Sequence, residues 1–136
     1  MPALQTYDYA IVRVVPRVER GEFVNVGVIV SCDATDLLAA RIVADEERIR
    51  SIDPAADLVA IGAALGAIEA VCSGAPDTGA LARMTPRERF HWLVAPRSAV
   101  IQTSPVHTGR TADCGAALDH LFDRMVGTRA APGGRN

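Results

Sequence analysis

Two Val- and Ile-rich runs, YDYAIVRVV at 7–15 and FVNVGVIVSC at 23–32, flank the loop RVERG at 17–21. β-branched and aromatic residues favour extended chain, and a short spacer between two such runs reads as a β-hairpin. A loop centred on Glu19 pairs Val14 with Val24, Val12 with Val26 and Ala10 with Val28 on one apolar face. The other face then carries Tyr9, Ile11, Arg13, Asn25 and Gly27, with Arg13 directly opposite Asn25. Side chains alternate with a period of two, so a one-residue slip would move every member to the other face.

The rest of the chain must cover that hairpin. LLAARIV at 37–43 reads as a third strand and DEERIRSI as a short helix. A long helix is expected from Asp53–Pro54 to a stop at Gly74, with Leu58, Ile61, Leu65, Ile68 and Cys72 as its buried stripe. Gly62 and Gly66 beside that stripe would allow close approach of a neighbouring element. SGAPDTG at 73–79 reads as a loop. Thr85-Pro86-Arg87-Glu88 has the form of a capping box, opening a helix that turns Phe90 and Leu93 or Val94 inward. AVIQTS reads as a fourth strand leaving at Ser104–Pro105, and Asp113 caps a last helix with Leu118, Leu121, Phe122 and Met125 on one side. The expected fold is α+β, an antiparallel sheet of about four strands (the N-terminal hairpin plus two) packed by helices mainly on one face. It forms one domain over 5–126, followed by a disordered tail at 127–136. The face bearing Arg13 and Asn25 is left to solvent, to the 88–109 segment or to a dimer.

Composition removes several function classes. A net charge of -2 gives no reason to expect nucleic-acid or anionic-membrane binding. All 14 basic residues are Arg, which excludes a Schiff-base lysine, a pyridoxal linkage and a P-loop or kinase lysine. Cys32, Cys72 and Cys114 are odd in number and far apart, the pattern of a reducing compartment. The N-terminus lacks a basic start and a continuous apolar run, and the apolar stretch at 58–72 is interrupted by Gly62, Gly66 and Glu69. A cytoplasmic protein is expected.

Chemistry-bearing residues concentrate in ERFHWLVAPRSAVIQTSPVHTG, residues 88–109. His91, His107, Cys114 and His120 have no metal-ligand spacing, so neither a metal nor a cofactor is expected. Ser98 and Ser104 lie near His107 without a nucleophile elbow. His107, in a turn at a strand end, is the one candidate general acid or base, against the plainer reading that it only secures the turn. Arg13 and Arg97, with Asn25, Ser98, Gln102 and Ser104 as neutral partners, could bind an anion. The competing reading is a structural network in which an Arg pairs with Glu88 or Glu22. Arg17 and Arg20 read as solvated surface, and Trp92 as a core anchor.

The segments YDYAIVRVVPRVERGEFVNVGVIV and ERFHWLVAPRSAVIQTSPVHTG together resemble a bacterial domain-of-unknown-function family, DUF3037, over roughly residues 5–126. The resemblance implies no established reaction, but it does imply an accessory role beside a kinase-like partner related to the HipA toxins. Among the family's motif residues it places Arg13, Asn25, Arg97, Ser98, Gln102, Ser104 and His107. The leading expectation is a binding module whose polar pocket takes a small anionic ligand or a protein partner's acidic group. The alternatives are a small hydrolase or phosphotransfer enzyme using His107, and a subunit whose sheet face forms a homodimer or docks the kinase-like partner.

Overall fold

The computed structural model describes residues 3–97 and 99–127; Ser98 and positions 128–136 of the expected tail lie outside them. The strands are β1 (Gln5–Val14), β2 (Val24–Cys32), β3 (Leu37–Ile42), β4 (Ile101–Thr103) and β5 (His107–Thr111), and the α-helices are α1 (Glu46–Ile52), α2 (Leu58–Ser73), α3 (Pro86–Leu93) and α4 (Cys114–Met125). Every strand pair is antiparallel, in the order β3-β2-β1-β4, and β5 also pairs with β1. The architecture is α+β as expected, with five strands instead of four.

The hairpin register is the expected one only near its turn. Val14 pairs with Val24 and Arg13 with Asn25, but Val12 pairs with Gly27 and Ile11 with Val28, so Val26 is an extra residue in a β-bulge. A bulge shifts everything beyond it by one position. Val24 and Val26 therefore pack with Val12, Val14 and Ile29 against Ile49, Ile61, Leu65, Phe90 and Leu93, the core under α1, α2 and α3. Val28 and Val30 turn to the opposite face and join Ile11 in a second core with Leu118, Leu121 and Phe122 of α4. The face carrying Arg13 and Asn25 is thus partly covered, and its cover is the C-terminal helix, not the 88–109 segment.

The edge formed by β4 and β5 is one strand interrupted at Ser104-Pro105-Val106. Proline cannot donate to a ladder. Ser104 bridges the gap: its N–H donates to the Ile11 carbonyl at 2.8 Å and its hydroxyl accepts the Ile11 N–H at 2.8 Å. That hydroxyl donates in turn to the Pro105 carbonyl at 2.9 Å. The turn expected around His107 is accordingly a fifth strand, with His107 opposite Tyr9.

Local signals explain most helix ends. Thr85 and Glu88 form the complete capping box, and Asp45, Asp57 and Asp113 each accept a first-turn N–H. The long helix starts at Asp57 and not at Asp53, because Asp53 caps the end of α1 and its carboxylate accepts the Ala55 N–H in the intervening turn. The expected loop at 73–79 runs into two short 3-10 turns within Pro76–Arg83, separated by a kink at Gly79. Gly62 and Gly66 do not mediate close packing, since nothing lies within 4 Å of the position a Cβ would take. No single helix among the described residues is long and apolar enough to cross a membrane.

Gly27 is where close approach matters. A Cβ there would stand 2.7 Å from Ile42 Cγ1 and 2.8 Å from the Arg41 carbonyl oxygen, and that backbone cannot yield without opening the β2–β3 ladder. Gly27→Ala is expected to cost about 1–3 kcal/mol, the usual range for overpacking. The check is a lower urea midpoint at unchanged slope; an unaltered midpoint would show that β3 is not held this close.

Candidate functional site

The register aligns three polar residues across the sheet at the turn-proximal end of the hairpin: Asn25 on β2, Arg13 on β1 and Gln102 on β4. Directly paired residues point to the same face. Arg13 shares the face of Ile11, the one covered by α4. Its guanidinium carbon sits 4.1 Å from the centroid of Phe23, whose side chain is exposed. Asn25 Nδ2 donates to the Met125 carbonyl at the end of α4, at 3.1 Å. Two atoms of this group are buried without a hydrogen-bond partner among the described residues: Arg13 Nε, a donor, and Asn25 Oδ1, an acceptor. Buried polar atoms are normally paired, so these two mark a place where a partner would be gained.

Along the same face, the His107 ring packs tilted against Tyr9 with centroids 5.4 Å apart, and Tyr9 lies 5.9 Å from Tyr7. The Tyr7 ring in turn lies over Gly109, where a Cβ would come within 2.6 Å of its hydroxyl. Helix α4 runs chiefly over β2 and β3, anchored by the Arg41–Asp119 ion pair at 3.0 Å and by Arg41 over Phe122 at 4.4 Å. Beside it, the β1–β5 half of the face presents the Tyr7, Tyr9 and His107 stripe.

The single pocket expected from the sequence is therefore divided. Arg13, Asn25, Gln102 and His107 share one face of the sheet. Arg97 belongs to the helical layer on the other side, stacked 5.0 Å from Trp92 and donating to the Trp92 carbonyl at 2.8 Å. There it lines an apolar cavity of 390 Å³ with Ala64, Ile68 and Leu93, and Gln102 on the edge strand β4 borders that cavity too. Trp92 is 44% exposed and so is not the expected core anchor. Ser104 is 3% exposed, and its hydroxyl is engaged by backbone on both sides. Gln102 Nε2 donates to the Ala99 carbonyl at 2.8 Å. Ser98 lies outside the described residues. Among them, no three His, Cys, Asp or Glu side chains gather as a metal-ligating group.

The family model "Protein of unknown function (DUF3037)" matches residues 9–126. The chain belongs to the DUF3037 family. No curated protein and no solved structure matches it.

The DUF3037 domain holds a second polar cluster that sequence reasoning missed, at the other end of β1. Asp8 accepts from the Arg87 guanidinium at 2.7 Å and from the Thr108 hydroxyl at 2.6 Å, and Arg87 also donates to the buried Ser31 hydroxyl at 3.1 Å. One carboxylate thus ties β1, β2, β5 and α3 together. The signal was present in the sequence: Asp8 stands in step with Ala10, Val12 and Val14, where a charge is costly to bury without a partner. Arg89, 9% exposed, is likewise structural. It donates to the Val71, Cys72 and Met84 carbonyls and so satisfies the C-terminal end of α2.

Burial raises the Asp8 carboxyl, but the Thr108 and Arg87 hydrogen bonds and the Arg87 charge outweigh it and hold the group below its ordinary value. A depressed folded value contributes stability at neutral pH that is lost as pH falls through the carboxylate range. Asp8→Asn is expected to lower stability at pH 7 by about 1–3 kcal/mol, the cost of leaving charged donors poorly matched. The gap to the parent should narrow below about pH 4. Urea titrations at both pH values check this, and a gap independent of pH would show that the charge on Asp8 contributes nothing.

Proposed function

We propose that this domain is a binding module that takes an anionic group at Arg13, on the sheet face beside the C-terminal end of α4. The observation that carries this reading is the neighbouring pair of unsatisfied buried atoms, Arg13 Nε and Asn25 Oδ1. A ligand carboxylate or phosphate supplies the acceptor that Arg13 lacks, and a hydroxyl or N–H on the same ligand supplies the donor for Asn25. Phe23 on one side and the Tyr9–His107 stripe further along β1 add flat surfaces against which the rest of a ligand can lie. The negative end of the α4 dipole offsets some of the Arg13 charge, typically by about 0.3–1 kcal/mol. Hydrogen bonds to a charged group are worth about 1.5–3 kcal/mol, so a bound anion still adds to what the helix provides.

Binding is preferred to hydrolysis or phosphotransfer centred on His107 because that ring lies exposed on β5 with the Tyr9 ring tilted against it. The source of the anion is either a small molecule or an acidic side chain of a protein partner, of which a HipA-like kinase and a second copy of this chain are two. Native mass spectrometry of the protein captured from its own host's lysate separates these sources. A retained anionic ligand or acidic partner should weaken about 10–100-fold in Arg13→Gln, the loss of one charged interaction. Arg97→Ala, on the far side of the sheet, should leave it unchanged. Retention that survives Arg13→Gln but fails in Arg97→Ala would move the site to the apolar cavity under Trp92.

A further inference from the structure

The three cysteines occupy different surroundings. Cys72, on α2, is enclosed by the first core, and burial pushes its thiol up to about 12. Cys32 ends β2 and Cys114 opens α4, yet both thiols donate to one acceptor, Gln5 Oε1, at 3.6 and 3.3 Å. Gln5 begins β1, so three distant parts of the chain bring these two sulfurs to one oxygen at the rim of the sheet. Sulfurs that share one acceptor oxygen are neighbours, and these two also perturb each other's ionisation directly.

The two thiols also differ from each other. Burial raises Cys32, but the neighbouring Cys114 and the polar hydroxyl and N–H groups of the turn at Ala34 and Thr35 outweigh it and leave the thiol below its ordinary value. Cys114 is pushed up to about 11 by burial, then by Cys32 and Asp113. A thiol held below its ordinary value beside one held above it sets the order in which an attacking and a resolving cysteine ionise.

We propose that Cys32 and Cys114 are an oxidisable pair that a hydroperoxide converts into an intramolecular disulfide. Cys32 and Cys114 are 1% and 5% exposed, with the partly buried Gln5 side chain against both, so a hydroperoxide reaches Cys32 when that side chain moves aside. The Cys32 thiolate attacks one peroxide oxygen, the O–O bond breaks, and the departing oxygen takes a proton to leave as alcohol or water. Cys32 is then a sulfenic acid. The Cys114 sulfur attacks it as its own proton passes to the departing hydroxyl, which leaves as water. The two sulfurs together lose two electrons, and the peroxide gains them. The bond joins the end of β2 to the first turn of α4, the helix whose other end is held by Asn25.

The test is peptide mapping of the native full chain after hydrogen peroxide, with remaining thiols alkylated in denaturant. The chain has no Lys, so trypsin leaves Cys32 in peptide 21–41, Cys72 in 51–83 and Cys114 in 111–124. The expected result is a 21–41/111–124 crosslink, a mass loss of about 2 Da per monomer and full reversal by dithiothreitol, with Cys72 alkylated. Cys114→Ser should leave a sulfenic acid on Cys32 that dimedone traps. Full alkylation of Cys32 and Cys114 after peroxide, a crosslink through 51–83, or crosslinks only between chains would overturn the proposal, and none of these readings depends on a variant folding.

Discussion

The extra residue at Val26 is the constraint on which the rest of this structure depends. Without it, Val24, Val26, Val28 and Val30 would share one face of β2, and a single helical layer would suffice to bury them. With it, the first two valines face α1, α2 and α3 while the last two face α4. One added residue converts a one-sided sheet into a sheet with apolar surface on both sides. The second surface is what gives α4 a place to dock. Phe122, 1% exposed, fills that surface, and burying such a ring is worth several kcal/mol.

Where α4 docks determines what remains of the face. The helix lies over β2 and β3, its C-terminal end reaches Asn25, and the half of the face built from β1 and β5 is left with Tyr7, Tyr9 and His107. Arg13 stands at the boundary between covered and uncovered halves. Its Nε is buried, yet among the described residues nothing supplies an acceptor to that atom. This combination follows from the bulge: a register unbroken along β2 would place Val28 and Val30 on the opposite face and leave α4 without its apolar footing.

Much of the fold was legible because its signals are local. The Val-rich hairpin, the Thr85 capping box, the Asp113 cap and the stripe of α4 each depend on residues a few positions apart. The bulge was not, because a strict period of two through VNVGVIV assigns every alternate valine to the same side. Gly27 was the one mark against that reading, since glycine inside a β-branched strand signals a bulge or a close neighbour, and here it accompanies both. The fifth strand was missed for a related reason: Ser104–Pro105 reads as an exit, and only the Ser104 hydroxyl, accepting the Ile11 N–H in place of a carbonyl, lets pairing resume at His107. At the site, Arg13 opposite Asn25 followed from the register near the turn. The separation of Arg97 from Arg13 did not, because the loop between α3 and β4 could have descended on either side of the sheet.

The two polar clusters of β1 differ in how far the fold itself satisfies the charge they carry. Both place a charged residue on a sheet face among valines, and both pay part of the desolvation cost that such placement carries. At Asp8 the cost is offset inside the fold, by Arg87 and Thr108 on the carboxylate and by Ser31 on the guanidinium. At Arg13 the neighbours are a ring, Phe23, and an amide, Asn25, that has already turned its N–H to α4. A cation over an aromatic ring gains about 0.5–2 kcal/mol and retains its charge. That arrangement stabilises the cation without neutralising it, next to an acceptor oxygen also left unmatched, and it is on this difference from Asp8 that the proposed anion site rests.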